Sequence, residues 1–485
     1  MEKICRKMNG INPVPARKAS SPQAPPFMVS APGKVIVFGE HAVAHGKSAM
    51  AAAISLRSYL LVTSLSKSHR TIALVFSDLD LDHTWNIEEL PWELAAQAKR
   101  RKKYYDLVTS LDPELVEAMQ PHLSNVSSNL PEKLRATNRT AAASFLYLFL
   151  SLSSPTAPAC IYTLRSTLPI GGGVGSSASI SVCISAALLK QIHVLAGPHE
   201  DQPPEEVKIQ VERINRWAFV SELCIHGRPS GVDNTVSTRG QAVLFRRPDY
   251  EKPPEVTPLP NFPLLPLLLI NTNQSRSTAA QLEKVKARKD KYPKLTETTL
   301  EAIDEITKSA GKLISSSDFS PRSEDDIQHL GELFQFNHGH LESLGVSHPK
   351  LDRIREMVDY AGIGWTKLTG AGGGGCAITL LKGRSGANGE IAAPSNADRT
   401  GEAIEKLHAD LKKAGFDPYS VTLGGDGVGI LYPAVLRNGS DEAGGEEIDQ
   451  QKFLKADGPD EIERLVGVGV QEKRDEWKFW RQADG

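Results

Sequence analysis

A glycine-rich loop that suits phosphate binding lies at residues 168–179, where the sequence reads LPIGGGVGSSAS. An apolar helical pattern, Ile180 to Leu189, follows directly. Glycines let backbone N–H groups approach an anion, and the start of a helix carries partial positive charge, with Ser176 or Ser177 as the expected N-cap. The spacing is not that of a Walker A loop, and Pro169 interrupts the strand that a dinucleotide fingerprint requires. The pattern predicts a phosphate cradle; the alternative is a structural turn that caps the helix.

A lysine and an acid–histidine pair bracket a short apolar segment near the N-terminus. The sequence runs Ala31-Pro-Gly-Lys34 into Val35–Phe38 and then into Gly39-Glu-His41. Residues 39–48 end like a P-loop, but six residues separate the glycines where four are required. Lys34 is therefore a candidate ligand-binding group at the mouth of a buried strand. The alternative is a lysine that covers apolar surface with its stem.

Two carboxylates supply the groups that phosphoryl transfer needs. Glu222 lies on a helix predicted over residues 211–225 and stopped by Gly227, while Asp233 lies in the turn-like stretch Ser-Gly-Val-Asp-Asn. Near a phosphate cradle, one carboxylate can hold the metal of a Mg-nucleotide and the other can act as base toward an acceptor hydroxyl. An Asx-turn is the structural alternative for Asp233.

A second glycine-rich segment occupies residues 367–380, KLTGAGGGGCAITL. Its glycines stand between two strand-like segments, which is unlike a flexible linker. Close approach of the backbone to a ligand and a tight hairpin are the two interpretations.

The elements that must position these groups predict two domains of the α+β class. Short strands and helices alternate from Met28 onward, including a strand over 71–76 and a small-residue helix around Ala51–Ile54. A proline-rich stretch at 248–266 suggests a boundary. We expect a disordered extension at 1–27, an N-terminal ATP-binding domain at 28–255, a C-terminal domain at 256–435 with a surface loop at 383–401, and a charged tail at 436–485. The aromatic patch of the tail, formed by Trp477, Phe479 and Trp480, is expected to dock either on the protein itself or on a partner.

Composition restricts the partners. The 485 residues carry 56 Lys+Arg and 58 Asp+Glu, a net charge of -2, which disfavours nucleic acid and anionic membranes as partners. The longest apolar run, 141–152, is shorter than the roughly 20 residues that span a bilayer. Five scattered cysteines without metal-ligand spacing and the lack of a signal-peptide pattern lead us to expect an intracellular, cytoplasmic protein.

The motifs taken together resemble those of the GHMP small-molecule kinases. Pro32-Gly-Lys34 with Gly39-Glu-His41, GGGVGSSAS at 171–179 and KLTGAGGGGCA at 367–377 match the three motifs of that family in order. Three longer segments, residues 31–47, 214–240 and 271–278, resemble the members that act on mevalonate. The resemblance covers about residues 28–435. It implies a ribosomal-S5-like N-terminal domain, a ferredoxin-like C-terminal domain and an active site between them.

The resemblance further implies ATP- and Mg²⁺-dependent phosphorylation of the primary hydroxyl of mevalonate, giving 5-phosphomevalonate for isoprenoid and sterol synthesis. Carried over by position, Asp233 is the base and Lys34 the electrostatic stabiliser. Ser177 and Glu222 match the Mg²⁺ ligands. The segments that line the mevalonate pocket hold Glu40, His41 and Thr278. The implied ATP contacts are Lys34, Ser166, Gly171, Gly172, Gly173, Val174, Gly175, Ser176 and Ser177.

Some features depart from the family pattern, and two other functions remain open. The loop reads GGGVG where GAGLG is usual, and Ser166-Thr-Leu-Pro-Ile replaces the commoner Ser-Glu-Leu-Pro-Pro. A sibling kinase acting on phosphomevalonate, homoserine or a sugar is one alternative, and a non-catalytic sensor of ATP and metabolite is the other. The joint presence of Lys34, Ser177, Glu222 and Asp233 disfavours the sensor. Homodimers are common in the family, but nothing in this sequence shows one.

Overall fold

The computed structural model describes residues 24–101, 108–199, 201–259, 261–275, 277–382, 397–436, 446–467 and 477–481. The described strands are β1 (Phe27–Phe38), β2 (Ala49–Ser64), β3 (Thr71–Phe76), β4 (Leu81–Asn86), β5 (Cys160–Ser166), β6 (Ala242–Arg246), β7 (Glu255–Leu259), β8 (Leu265–Asn271), β9 (Gly364–Leu368), β10 (Cys376–Leu381), β11 (Asp417–Leu423), β12 (Gly429–Leu431), β13 (Val435–Leu436), β14 (Glu446–Glu447) and β15 (Lys478–Phe479).

The described α-helices alternate with these strands. They are α1 (Trp92–Arg101), α2 (Pro113–Leu123), α3 (Glu132–Leu152), α4 (Ser176–Gln191), α5 (Pro204–His226), α6 (Val232–Arg239), α7 (Thr278–Lys291), α8 (Pro293–Ile314), α9 (Glu324–Ser343), α10 (Pro349–Ala361), α11 (Ala397–Lys413), α12 (Gln450–Lys455) and α13 (Gly458–Val466). None of these helices has the length and apolar character needed to cross a membrane. The predicted α+β class is confirmed.

The first half of the chain is built on the long strand β2. Strands β1, β5 and β6 pair with β2 antiparallel, β3 runs parallel to β5, and β4 and β7 extend the outer edges. Helices α3, α4 and α5 pack together, and their apolar side chains share one core with β2 and β5. The apolar run at 141–152 forms the buried end of α3, as a segment too short for a membrane span should.

The second half of the chain carries an antiparallel sheet in the order β11, β8, β10, β9. Strand β11 also meets β2, where Leu423 pairs with Ile54, so the two sheets are continuous. Helices α8, α9 and α10 contribute apolar side chains to the cores of this sheet. The two glycine-rich segments therefore lie on sheets that join. The predicted domain limits at 255 and 435 stay predictions.

The helix expected at Ala51–Ile54 is wrong. These residues belong to β2, where β1 pairs on one side and β6 on the other. The small alanine side chains suit this position because Ala51 and Ala53 pack against Val232 and Val236 of α6. Packing across the sheet has overridden the helix preference of alanine.

The C-terminal tail docks on the protein itself. Phe453, Ile462 and Trp477 pack in one core cluster with Met28 and Tyr59 of the first two strands. Strand β15 pairs with β12 and so extends the sheet edge. Of the predicted loop at 383–401, residues 383–396 lie outside the described part of the chain, and residues 397–401 begin α11. Most of the predicted extension, residues 1–23, also lies outside it.

Candidate active site

The first glycine-rich loop connects β5 to α4 through backbone turns that need glycine. Gly171, Gly173 and Gly175 all have φ near +75°, a region that side chains with a Cβ rarely adopt. Gly175 is the N-cap of α4, so the prediction that Ser176 or Ser177 caps the helix is wrong. First-turn amides of a helix lack intrahelical acceptors. The start of α4 therefore presents backbone donors suited to an anion.

Lys34 connects this loop to the carboxylate of Asp233. The backbone N–H of Lys34 donates to Val174 O at 2.8 Å, and its Nζ donates to Gly173 O at 3.4 Å. The same Nζ lies 3.2 Å from Asp233 Oδ1, and only 6% of the lysine side chain is exposed. The ammonium group thus points into the protein beside the loop, and surface snorkelling does not describe it.

Asp233 lies in the first turn of α6, whose N-cap is Gly231 with φ +92°. Its side chain is 32% exposed, while the Lys34 side chain that contacts it is almost fully buried. A carboxylate at this position is accessible to a hydroxyl-bearing ligand and is held by a cation from behind. That geometry suits a base.

Glu222 is buried on α5 and faces the start of α4. Ser177 Oγ donates to Glu222 Oε2 and Ser181 Oγ donates to Oε1, each at 3.4 Å. Burial, and next the negative charge of Asp233, raise the pKa of Glu222 to about 8; the two hydroxyl bonds and Lys34 oppose this only in part. A bound cation would restore the ionised carboxylate. The oxygen donors of Glu222 and Ser177 are the type that Mg²⁺ prefers, so the residues fit that ion.

His226 also belongs to this cluster and was not singled out from the sequence. Its Nε2 lies 3.2 Å from Ser177 Oγ and 3.7 Å from Glu222 Oε2. The spacing of four residues from Glu222 on a helix was the available signal, because side chains at i and i+4 share a face. Burial lowers the pKa of His226, and the negative charge of Asp233 opposes this shift.

The second glycine-rich loop faces the Gly39-Glu-His41 turn. His41 has φ +62°, and its Nε2 lies 2.9 Å from Ala371 O. The Glu40 carboxylate is buried and forms an ion pair with Lys367, a residue for which the sequence suggested no separate role. Glu40 therefore faces the interior, between the two halves of the chain.

The two remaining predicted contacts lie at the ends of separate elements. Ser166 ends β5, where its Oγ lies 3.1 Å from Ser58 Oγ and accepts from Leu168 N at 3.2 Å. Thr278 is exposed at the first position of α7. One turn further on, Gln281 packs so closely on Gly373 that a Cβ there would clash with its amide. The start of α7 thus borders the second glycine-rich loop.

The arrangement combines an anion-binding helix start, a lysine–aspartate pair and a buried carboxylate suited to a divalent cation. These are the parts that phosphoryl transfer to a hydroxyl requires, since that reaction depends mainly on positioning and electrostatic stabilisation.

Comparison with protein families gives two matches. The model of the GHMP kinases N terminal domain matches residues 140–241, and that of the GHMP kinases C terminal domain matches residues 323–398. The first match contains the 171–179 loop, Glu222 and Asp233.

Several curated relatives are similar over nearly the whole chain. A mevalonate kinase of Aspergillus fumigatus is 63% identical over 468 residues, which is 96% of this chain and 84% of that protein. A mevalonate kinase of Gibberella zeae is 58% identical over 96% of this chain and 89% of its own length. The human mevalonate kinase is 35% identical over 83% of this chain and 94% of its own.

Solved structures share the fold. The crystal structure of L. major mevalonate kinase in complex with R-mevalonate superposes with a TM-score of 0.57 at 22% identity, covering 84% of this chain and 99% of that one. Lactococcus lactis galactokinase complexed with galactose gives a TM-score of 0.50 at 17% identity, covering 83% and 94%.

Proposed function

This chain belongs to the mevalonate kinase family of the GHMP kinases and phosphorylates mevalonate with ATP, and we propose that Asp233 and Lys34 carry out the transfer. The observation that supports this assignment is the contact of Lys34 with both Asp233 and the first glycine-rich loop. One side chain thereby connects a base to a phosphate-binding segment. The product of this reaction enters isoprenoid and sterol synthesis.

In the proposed step the primary hydroxyl of mevalonate attacks the γ-phosphorus of ATP. The new O–P bond forms as the bond to the ADP oxygen breaks, and the hydroxyl proton passes to the Asp233 carboxylate. Lys34 Nζ, 3.2 Å from Asp233 Oδ1, holds this carboxylate in place and offsets negative charge on the transferred group. A positioned base of this kind contributes about 10²- to 10⁴-fold to the rate.

The phosphates of ATP are assigned to the loop of residues 171–177 and the start of α4. Positive φ at three alternate glycines lets the backbone of this loop turn closely around an anion, and the helix start adds its partial charge. Ser166, at the end of β5, is the further contact that we propose for the nucleotide.

Ser177 and Glu222 would hold Mg²⁺. When bound, the ion would neutralise charge on the phosphate oxygens and keep Glu222 ionised. His226 contacts both side chains and would fix their orientation.

The mevalonate side of the site is assigned to His41 and Thr278. His41 lies against Ala371 of the second glycine-rich loop, and the helix that Thr278 begins packs on Gly373 of that loop. We propose that Glu40 serves the same pocket from beneath, through its ion pair with Lys367.

The test is release of ADP with purified protein, Mg-ATP and either mevalonate, phosphomevalonate, homoserine or galactose. Of these four acceptors, we expect only mevalonate to give ADP release. Asp233→Asn should lower kcat by about 10²- to 10⁴-fold and leave the affinity for Mg-ATP unchanged. Asp249→Asn, which removes an exposed carboxylate paired with Lys252, is the control and should behave as wild type. Full activity of Asp233→Asn would refute the base assignment.

The metal assignment has a separate readout, the binding of Mn²⁺ in the presence of ADP followed by electron paramagnetic resonance. Glu222→Gln should weaken Mn²⁺ binding at least about 10-fold. Glu205→Gln, in the exposed first turn of the same helix, is the matched control. Equal Mn²⁺ affinity in the two variants would contradict the assignment of Glu222 as a metal ligand.

A further inference from the structure

An ion pair that is fully buried joins the two halves of the chain beneath the active site. Lys367, in β9, donates from Nζ to Glu40 Oε1, and both side chains have no exposed surface. Lys367 Nζ also donates to Leu368 O at 2.9 Å, and Asn337 Nδ2 donates to Glu40 Oε2 at 2.9 Å. Both charged groups thus have hydrogen-bond partners within the protein.

Two aromatic rings lie near the charged end of Lys367. Lys367 Nζ lies 6.0 Å from the ring centre of Phe38 and 5.8 Å from that of Phe334, and the two rings meet edge to face. Burial lowers the pKa of Lys367, and the charge of Glu40 opposes that shift. Taking two charges out of water costs several kcal/mol per ion, so a buried pair is weak evidence for a purely stabilising role. A role in fixing geometry is the better account.

The pair is one of three contacts between residues 36–41 and residues 367–371 that we together call the seam. Its first contact joins Ile36 to Thr369, whose Oγ1 accepts from Ile36 N at 3.1 Å and donates to Ile36 O at 2.8 Å. Its second contact is Glu40 with Lys367, and its third is His41 Nε2 with Ala371 O at 2.9 Å. Residues 36–41 are thus fixed to residues 367–371 by three contacts.

The seam lies between the two parts of the site that the reaction must align, which are the phosphate-binding side with Lys34 and the mevalonate side with the second glycine-rich loop. Lys34, the partner of Asp233, precedes Ile36 on β1 by two residues. Within the second glycine-rich loop, four glycines at 372–375 follow Ala371 directly, and Gly172 of the first loop lies close enough to Cys376 that an added Cβ would be 3.1 Å from its Sγ. A shift along the seam would therefore move the phosphate-binding side relative to the mevalonate side.

We propose that Lys367 is a positioning residue for the transfer. Through its ion pair with Glu40, it fixes His41 and the second glycine-rich loop relative to Asp233, so that the mevalonate hydroxyl is held within reach of that carboxylate. This proposal rests on the function proposed above. A misplacement of about 1 Å at a reacting centre costs on the order of 10²-fold in rate, which is the scale of the expected effect.

The decisive variant replaces both charges, as Glu40→Gln with Lys367→Met. Either single substitution leaves a buried charge unpaired and destabilises the fold. Replacing both residues by uncharged side chains of similar size often leaves the free energy of unfolding unchanged or raises it. If the ion pair is merely structural, the double variant should regain activity together with stability. A positioning pair predicts that stability returns and activity does not.

The measurements are thermal unfolding, kcat and KM for mevalonate from ADP release, and the Kd of a fluorescent ATP analogue. We expect the double variant to unfold near the wild-type temperature, to bind nucleotide within about twofold of wild type, and to lose about 10- to 100-fold in kcat/KM for mevalonate. Wild-type kcat/KM in the double variant, or an equal loss of nucleotide affinity, would overturn the proposal. A wild-type protein that releases no ADP with mevalonate would instead overturn the proposed function.

Two further variants complete the design. Lys47→Met with Glu297→Gln removes another ion pair between the two halves, of 3.0 Å and partly exposed, and should leave kcat/KM unchanged. Thr369→Val removes the first seam contact without changing charge. If the double variant fails to fold, Thr369→Val tests the positioning role instead. A selective loss of kcat/KM for mevalonate in this variant supports the proposal, and wild-type values contradict it.

Discussion

Lys34 Nζ lies 3.2 Å from Asp233 Oδ1, and these residues come from β1 and α6, elements far apart in the sequence. The contact predicts that the two side chains act as one unit. Lys34→Met should lower kcat by about 10²- to 10⁴-fold, as Asp233→Asn does. Because removal of one partner already disables the unit, the double variant should be no slower than the slower single variant. ADP release under saturating substrates measures all three rates.

The control for this cycle is the exposed pair of Lys252 and Asp249, whose charged atoms lie 3.5 Å apart. Its single and double neutral variants should keep wild-type kcat. If the losses from Lys34→Met and Asp233→Asn multiply in the double variant, the two residues act independently and the proposed unit is wrong.

Gly175 and Gly171 form a matched pair of loop positions. Both have φ near +75°, so alanine costs about 1–2 kcal/mol of backbone strain at either one. A Cβ at Gly175 would lie 2.9 Å from Lys34 Cγ, whereas nothing lies within 4 Å of one at Gly171. Gly175→Ala should therefore displace Lys34 and reduce kcat by at least about tenfold more than Gly171→Ala does. Steady-state rates and urea unfolding of both variants provide the test, and equal losses of kcat would contradict it.

Residues that the sequence indicated for phosphate chemistry lie together in the structure, whereas one of the elements near them was predicted wrongly. The spacing of glycines around residues 171–175 and the carboxylates at 222 and 233 indicated phosphate chemistry because backbone freedom and charge are local properties. The helix proposed at Ala51–Ile54 failed because strand pairing with β1 and β6 is not local. The N-cap at Gly175 was missed for a related reason, since Ser177 contacts Glu222 and His226 of another helix.

Contacts between residues of distant segments likewise could not be predicted from the sequence. Lys367 stood in a recognisable motif, but only the fold shows that its partner is Glu40. The tail shows the same limit: its aromatic residues suggested docking, and the fold shows their position against β12 and α5. In each case the motif was visible and the partner was not.

The docked tail predicts a measurable contribution to stability. Trp480 is buried, and its Nε1 donates to Gln210 Oε1 of α5 at 2.9 Å. Trp480→Ala should lower the free energy of unfolding by about 3–5 kcal/mol, because a large buried ring is lost and a cavity remains. Tyr360→Ala, at an aromatic residue that is 95% exposed, is the control and should change it by less than about 0.5 kcal/mol. Urea denaturation measures both, and similar values would show that the tail is not docked in solution.

Acid should destabilise the protein through His338. Burial, and then the positive charges of Arg355 and Lys367, lower the pKa of this imidazole to about 3. Leu368 N donates to its Nδ1 at 3.4 Å, and Glu342, which lies 3.4 Å from its Nε2, is itself paired with Arg355 at 3.2 Å. The folded state therefore keeps the ring neutral.

The sign of the effect follows from proton binding. Between the unfolded pKa of 6.5 and the folded value of about 3, the unfolded state binds more protons, so the free energy of unfolding falls as pH falls. The slope contributed by one such group approaches about 1.4 kcal/mol per pH unit well below pH 6.5. His338→Gln should remove this component, so its unfolding free energy should depend less on pH between 6.5 and 4.5. Exposed His69, replaced by Gln, should leave the wild-type slope intact, and an unchanged slope in His338→Gln would mean that the imidazole is already protonated in the folded protein.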